Sequence, residues 1–341
     1  MEVYRNEITQ ANPEQRQRGL RVLSLDGGGV RGLSSLHILQ YLMKRIDSEN
    51  PPKPCDYFDL IGGTSTGGLI AIMLGRLRMD IHECITAYKV ISRRVFTPKR
   101  SKRNILGRGK DLWSLAGAFD SNALADEIAR VVEACGLDRN AKLLEKEAHC
   151  KVFVCATRAE ISTTVRLRNY RTAMTVDEVN CTIVEAARAT SAASSFFAPI
   201  EIEGQKFVDG ATGSNNPVDD VLDEVNTIWP GENSRLERFV SVGTGTPSLK
   251  AFGTNLKELA STLVAMAVDT ERVAERFQKQ DVRANGLSSN YFRFNVRRGL
   301  EDVGLEEHAK QGTIIAATNN YLDEYETREK VQEFVEASQR E

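Results

Sequence analysis

The chain has 341 residues, of which 41% are hydrophobic and 27% are charged. This size suffices to bury one large core or two modest ones, and a single large α/β domain is the simpler expectation. The 45 basic residues nearly balance the 47 acidic ones, for a formal net charge of -2. That balance gives no general electrostatic reason to expect binding to nucleic acid or to an anionic membrane, so any lipid contact must be local.

The first 19 residues form a polar leader that lacks the apolar stretch of a signal peptide. No later segment approaches the run of about 20 apolar residues that crosses a bilayer. We therefore expect a soluble, cytoplasmic protein with one domain over residues 20–341. The six cysteines are scattered, without a CxxC pair or a histidine at metal-ligand spacing, so we expect reduced thiols and neither a metal nor another cofactor.

The first predicted unit is a strand, a sharp turn and a helix. Leu20 to Leu25 is a short apolar run that ends at Asp26 and three glycines, as a buried strand entering a turn would. Apolar residues then recur at helical spacing from Leu33 to Ile46, until the prolines of SENPPKP end the helix.

A second unit of the same kind follows directly. Tyr57 to Ile61 is predicted as a strand, GGTSTGG as a turn, and Leu69 to Leu77 as an apolar helix. Two such units in succession predict a parallel sheet covered by helices.

The remaining elements are predicted from periodicity alone. A basic, glycine-containing stretch, VFTPKRSKRNILGRGKDLWSL, is predicted as a long loop or lid between two helices. Helices are predicted at 80–95, 123–134, 182–190 and 217–226, and strands at 151–156, 163–170 and 238–242. The motif-bearing part ends at about residue 247, and the rest is predicted to be mainly helical, with room for one strand at 291–296.

The sharpest chemical signal is Gly63-Thr64-Ser65-Thr66-Gly67, a G-x-S-x-G nucleophile elbow between a predicted strand and a predicted helix. Its strained turn projects the serine hydroxyl from the sheet edge, and the glycines are needed because side chains there would collide with neighbouring elements. The following helix points its positive end at the site. A tight turn that merely closes a βα unit is the alternative, but the strand-turn-helix context favours catalysis by Ser65.

A second glycine-rich turn, DGGGVRG, begins at Asp26. Consecutive glycines let several backbone N–H groups converge on one point, which can hold a phosphate or the oxyanion of an acyl-transfer intermediate. The same letters partly satisfy the dinucleotide pattern GxGxxG, and Asp47 stands about 20 residues further on, where that pattern expects an acid. Asp47, however, lies at a helix end that runs into prolines, which disfavours a dinucleotide site.

A serine nucleophile needs a base, and the chain contains four histidines. Only His308 can complete the Ser-Asp-His order of an α/β-hydrolase triad, and it lies in LEEHAKQG, which is typical of a solvated helix face. The other three are His37, in an apolar helical stripe, and His82 and His149, without a local signature.

Asp209 offers a base that needs no histidine. Phe207 to Ala211 is a short apolar strand that delivers this aspartate into another glycine turn. A carboxylate within hydrogen-bond reach can accept the serine proton directly, and desolvation raises its basicity. Without their context in the chain, the same residues fit an Asp-Gly hairpin turn better than a catalytic aspartate.

With these elements in order, the sequence resembles the patatin-like phospholipase family over roughly residues 20–247. DGGGVRG resembles the family's oxyanion loop, GTSTG its elbow, and DGA at Asp209 to Ala211 its catalytic aspartate turn. Three connecting segments also resemble the family's sequence: ARATSAASSFFAP at 187–199, SNNPV at 214–218 and SVGTGTP at 241–247. The chain departs from the commoner sequence of the family at Ser194-Ser195, where a proline is more usual nearby. This difference concerns a wall of the site and not the dyad.

The resemblance implies a three-layer α/β/α sandwich with a mainly parallel central sheet and a calcium-independent Ser-Asp dyad. The implied substrate is a phospholipid or another acyl lipid. The resemblance is also compatible with transient contact between the protein and a membrane surface. By position, Ser65 would carry the acyl group and Asp209 would be the base. The implied oxyanion and substrate-binding residues are Gly27, Gly28, Gly29 and Arg31, and the elbow and turn glycines are Gly63, Gly67 and Gly210.

Other functions stay open at this point. One is a Ser-His-Asp esterase, thioesterase or peptidase, and another is a catalytically silent lipid- or nucleotide-binding module. Phe196 and Phe197 fit an acyl channel and core packing equally well. A cluster of basic residues fits a solvated loop better than a headgroup site, and Trp113 fits packing of a lid better than bilayer contact. The cluster is Lys99, Arg100, Lys102, Arg103, Arg108 and Lys110.

Overall fold

The computed structural model describes residues 18–95, 119–172, 178–193, 196–231, 236–246 and 270–338. The predicted lid beyond Val95, with its basic cluster and Trp113, lies outside these ranges, as do most of the polar leader and the pair Ser194-Ser195.

One sheet of eight strands organises the described part of the chain, in the spatial order β5-β6-β3-β2-β1-β7-β8, with β4 also paired to β3. The five strands from β3 to β8 in this order run parallel, whereas β4 and β6 each pair antiparallel with β3, and β5 pairs antiparallel with β6. The predicted mainly parallel sheet is thus confirmed. The strands are β1 (Leu20–Leu25), β2 (Leu60–Thr64), β3 (Lys151–Arg158), β4 (Thr163–Arg168), β5 (Ile200–Ile202), β6 (Gln205–Asp209), β7 (Leu236–Val242) and β8 (Tyr291–Phe294).

The helices alternate with these strands through the first part of the chain and follow them in the last. They are α1 (Gly32–Ile46), α2 (Pro54–Tyr57), α3 (Thr66–Ala71), α4 (Ile81–Val95), α5 (Ser121–Ala134), α6 (Ile183–Thr190), α7 (Ala211–Ser214), α8 (Val218–Ile228), α9 (Asp281–Ala284), α10 (Gln311–Asp323) and α11 (Tyr325–Ser338). Residues 270–279 are also helical. None of the helices in the described ranges is long and apolar enough to cross a membrane.

Helices cover the sheet on both faces, because successive side chains of a strand point to opposite sides. In β1, Leu23 and Leu25 belong to the larger core, which includes Leu36 of α1. Val22 belongs to the smaller core on the other face, with Val221 of α8. These two cores give the three layers that the resemblance implied.

Two elements differ from the sequence prediction. β2 begins at Leu60 instead of Tyr57, because Pro54 starts a short helical turn through Tyr57. The antiparallel pair β5 and β6 forms a hairpin, of which only the end at Phe207–Asp209 was predicted. This hairpin matters for function because its second strand ends at Asp209.

Candidate active site

Ser65 occupies the turn between β2 and α3 and has φ 53° and ψ -122°. A positive φ is uncommon for a residue other than glycine and stores strain, as expected of a nucleophile elbow. The flanking glycines are required by space. A Cβ at Gly63 would lie 2.2 Å from the carbonyl oxygen of Gly67, and a Cβ at Gly67 would lie 2.2 Å from that of Leu25.

The backbone of the elbow is tied to the neighbouring strand through Thr190. The N–H of Ser65 donates to Thr190 Oγ1 at 2.8 Å, and the Thr190 hydroxyl donates to the carbonyl of Cys155 at 2.7 Å. Thr190 is fully buried at the end of α6. The predicted segment that leads toward the aspartate therefore also fixes the serine.

The two halves of the predicted dyad meet in the structure. The Ser65 hydroxyl donates to Asp209 Oδ2 at 2.7 Å, and the N–H of Ala211 donates to Asp209 Oδ1 at 2.8 Å. Burial raises the pKa of Asp209 to about 7, while these two hydrogen bonds oppose the rise. A carboxylate with this pKa can take up and return a proton near neutral pH.

The glycine loop lies beside the elbow. A Cβ at Gly27 would come within 3.2 Å of Ser65 Cβ. The Gly27 N–H donates to the carbonyl of Asn215 at 2.9 Å, so this amide is already engaged. The amides of Gly28 and Gly29 have no hydrogen-bond partner among the described residues, and both glycines line the cavity that contains Ser65.

Gly29 has a φ of +55°, a left-handed conformation that glycine adopts more readily than residues with a side chain. Its carbonyl accepts hydrogen bonds from Thr66 Oγ1 at 2.9 Å and from the hydroxyl of Tyr88, a buried residue of α4. The sequence offered no signal for Tyr88 beyond its place in a helical pattern.

A cavity of about 220 Å³ joins the dyad to the glycine loop. Its apolar side comes from α3, α4, α5 and the segment before β5, and its polar side comes both from the family-like motifs and from residues beyond them. Apolar lining residues include Leu69, Ile91, Val95, Leu124, Phe196 and Phe197, and polar ones include Asn215, Thr244, Thr270, Glu271 and Asn295. Phe196 and Phe197 also pack against Phe119, so they serve the core and the cavity together.

Arg31 lines the same cavity as a buried cation, with 6% of its surface exposed. Its Nε has no hydrogen-bond partner in the described part of the chain. Burial lowers the pKa of Arg31 to about 10, so the guanidinium stays charged at neutral pH. A buried charge is stable only when it is paired, which makes this position suited to an anionic ligand.

The four histidines all lie in described ranges, and none of them lines this cavity. His308 begins a short 3₁₀ turn before α10. Across the described ranges, no group of three or more His, Cys, Asp or Glu side chains is arranged to hold a metal ion.

Known proteins are similar to this chain in sequence. The patatin-like phospholipase family matches residues 23–222, more than half of the chain. Calcium-independent phospholipase A2-gamma of Mus musculus is 31% identical over 290 residues, which cover 82% of this chain and 35% of that protein. Phospholipase A I of Arabidopsis thaliana is 27% identical over 353 residues, covering 87% of this chain and 26% of that protein.

A bacterial relative is matched over more of its own length. The cGAMP-activated phospholipase of Vibrio cholerae is 28% identical over 248 residues, covering 68% of this chain and 66% of that protein.

The crystal structure of VipD from Legionella pneumophila superimposes with a TM-score of 0.41 at 14% identity, covering 89% of this chain and 67% of that chain. The chain spans about a third of the length of the mouse protein. On the family match, this chain belongs to the patatin-like phospholipase family.

Proposed function

We propose that the chain is a serine acyl hydrolase that cleaves fatty-acyl esters of phospholipids or related lipids. The observation that carries this proposal is the 2.7 Å hydrogen bond from Ser65 to Asp209, two residues that line a largely apolar cavity. The names of the relatives, which are phospholipases, support the lipid as substrate.

The reaction begins when the Ser65 oxygen attacks the ester carbonyl and Asp209 takes the proton of the Ser65 hydroxyl. The negative charge that develops on the carbonyl oxygen is stabilised by the N–H groups of Gly28 and Gly29. Asp209 then returns its proton to the departing alcohol, and the acyl group stays on Ser65. Water, activated by the same carboxylate, hydrolyses this acyl-enzyme and frees the fatty acid.

The cavity offers separate places for the two parts of such a substrate. The apolar side, with Leu124, Phe196 and Phe197, suits a fatty-acyl chain. The buried Arg31, whose Nε has no hydrogen-bond partner among the described residues, suits the phosphate of a phospholipid. The substrate would be drawn from a membrane surface by transient contact.

The direct test combines turnover with chemical labelling. A p-nitrophenyl ester and a panel of phospholipids, triglycerides and acyl-CoAs are incubated with the wild-type chain, Ser65→Ala and the surface control Ser289→Ala, and products are identified by mass spectrometry. We expect fatty acid release by wild type and Ser289→Ala and none by Ser65→Ala. A fluorophosphonate should label Ser65. Lipid binding without turnover would instead identify a binding module.

The proposed dyad needs no metal for any of its steps. We expect the same rate in EDTA as in calcium-containing buffer, measured on one soluble ester. Full inhibition by EDTA that calcium reverses would contradict this part of the proposal.

A further inference from the structure

Within the described part of the chain, Gly28 and Gly29 are the two residues of the glycine loop whose N–H groups have no hydrogen-bond partner, and both line the cavity. The N–H groups on either side of them are engaged, Gly27 with Asn215 and Val30 with the carbonyl of Leu305 at 2.8 Å. Buried amides are almost always paired, so the open amides of Gly28 and Gly29 mark the place where a ligand oxygen would bind. The orientation of these two N–H groups therefore depends on the contacts that hold the carbonyl groups of the same peptides.

A trans peptide is planar, and its C=O and N–H point in opposite directions. The N–H of Gly28 belongs to the same peptide as the carbonyl of Gly27, so whatever holds this carbonyl also aims that amide. The Thr244 hydroxyl donates to the Gly27 carbonyl at 2.9 Å, and this hydrogen bond is buried. The analogous peptide of Gly29 is held by its own loop, since the Arg31 N–H donates to the Gly28 carbonyl at 3.2 Å.

Thr244 is itself fixed firmly enough to act on the loop. It follows β7 in the segment SVGTGTP and is 4% exposed. The neighbouring Gly243 N–H donates to the Phe294 carbonyl at 2.8 Å, and the Gly245 N–H donates to Asn295 Oδ1 at 2.7 Å. A Cβ at Gly28 would lie 2.0 Å from Thr244 Oγ1, so this glycine allows the threonine to approach.

We propose that Thr244 is a positioning residue that aims the Gly28 amide at the oxyanion. The inference rests on the proposed acyl-hydrolase function and adds a residue outside the dyad, the elbow and the glycine loop. Glycines on both sides give this peptide little resistance to rotation. Without the hydroxyl, its carbonyl is free to turn toward the cavity and its N–H away from it. The loss would fall on the transition state, where the oxyanion carries charge, and not on substrate binding.

The test uses a variant that changes chemistry without changing shape. Thr244→Val replaces the hydroxyl by a methyl group, and Thr244→Ser restores it. A matched control is Thr318→Val in α10, which removes another buried hydroxyl, one that donates to the carbonyl of Ile314 and lies 2.8 Å from Ser34 Oγ. Thr244→Ala serves as a second variant should valine not fold.

We expect Thr244→Val to lower kcat on a soluble ester by roughly ten- to a thousandfold, up to the effect of losing one oxyanion donor. KM should change by less than about twofold, because ground-state binding is untouched. Inhibition by an alkyl trifluoromethyl ketone, which forms a tetrahedral adduct with serine, should weaken in parallel with kcat. Thr244→Ser should recover most of the activity, and Thr318→Val should keep wild-type kcat.

The outcomes separate this inference from the function on which it rests. Wild-type kcat in folded Thr244→Val, or a change in KM alone, would overturn the role of Thr244 while leaving the hydrolase proposal intact. An equal loss of kcat in Thr318→Val would also overturn it, since the effect would then be general destabilisation. Activity that persists in Ser65→Ala would refute the proposed function itself.

Discussion

The guanidinium of Arg293 holds both carboxylate oxygens of Asp26, with N–O distances of 2.9 and 2.6 Å. Asp26 opens the glycine loop, whereas Arg293 lies in β8, beyond every recognised motif. Burial raises the pKa of Asp26 to about 6, and Arg293 opposes this rise by its charge and its hydrogen bonds. Arg293 also donates to Ser241 Oγ at 2.9 Å. The C-terminal part thus completes the support of the loop.

Removing this arginine should destabilise the fold, because Asp26 would be left as a buried charge without its partner. We expect Arg293→Gln to lower the free energy of unfolding by about 3–5 kcal/mol, measured by urea denaturation at pH 7.5. The double variant Asp26→Asn/Arg293→Gln should lose less than Arg293→Gln alone, and the exposed control Arg297→Gln should lose almost nothing. A loss below about 1 kcal/mol in Arg293→Gln would show that the pair has no such role.

Replacing the carboxyl of Asp209 by an amide should abolish general-base catalysis. An amide cannot accept the serine proton, so we expect Asp209→Asn to lower kcat/KM by roughly a hundred- to ten-thousandfold. In the wild type, kcat/KM should fall as pH drops through about 7, because protonated Asp209 cannot act as a base. The measurement is kcat/KM on a neutral ester between pH 5 and pH 9. A flat wild-type profile would contradict the assignment.

The same substitution should stabilise the protein above neutral pH. Burial raises the pKa of Asp209 from 3.8 to about 7, so between these values the native state binds more protons than the unfolded state. The stability that this group contributes is therefore complete at low pH and is lost as pH rises through about 7. We expect a higher Tm for Asp209→Asn than for wild type at pH 8, with a smaller gap at pH 5. Equal gaps in thermal scans at both pH values would exclude this linkage.

A fourth expectation concerns the histidine alternative. His308 does not line the cavity, so His308→Ala should keep kcat/KM within about twofold of wild type. Circular dichroism should confirm that the variant folds. A loss of activity as large as that of Ser65→Ala would instead indicate a Ser-His-Asp triad with Asp209 as the orienting partner.

The elbow could be predicted from sequence because its chemistry is local. Gly63, Ser65 and Gly67 lie within five residues, and the strand before them and the helix after them follow from hydrophobic spacing. The strained turn needs glycines at those positions, as the close approach of Gly67 to the Leu25 carbonyl shows. The aspartate turn at Asp209 was likewise visible as a short strand that ends in Asp-Gly. Its contact with Ser65 was inferred from the family resemblance.

The support of the glycine loop was decided by the tertiary structure. The family resemblance implied amide donors at Gly27, Gly28 and Gly29 alike, but the sequence gives no sign that Asn215 occupies the amide of Gly27. Thr244 lies 217 residues from the carbonyl that it binds, and Arg293 lies 267 residues from Asp26. Sequence periodicity reports which face of a strand or helix is buried. It does not report which residues meet across a parallel sheet, because the pairing of β1 with β7 and of β7 with β8 brings distant segments to one edge.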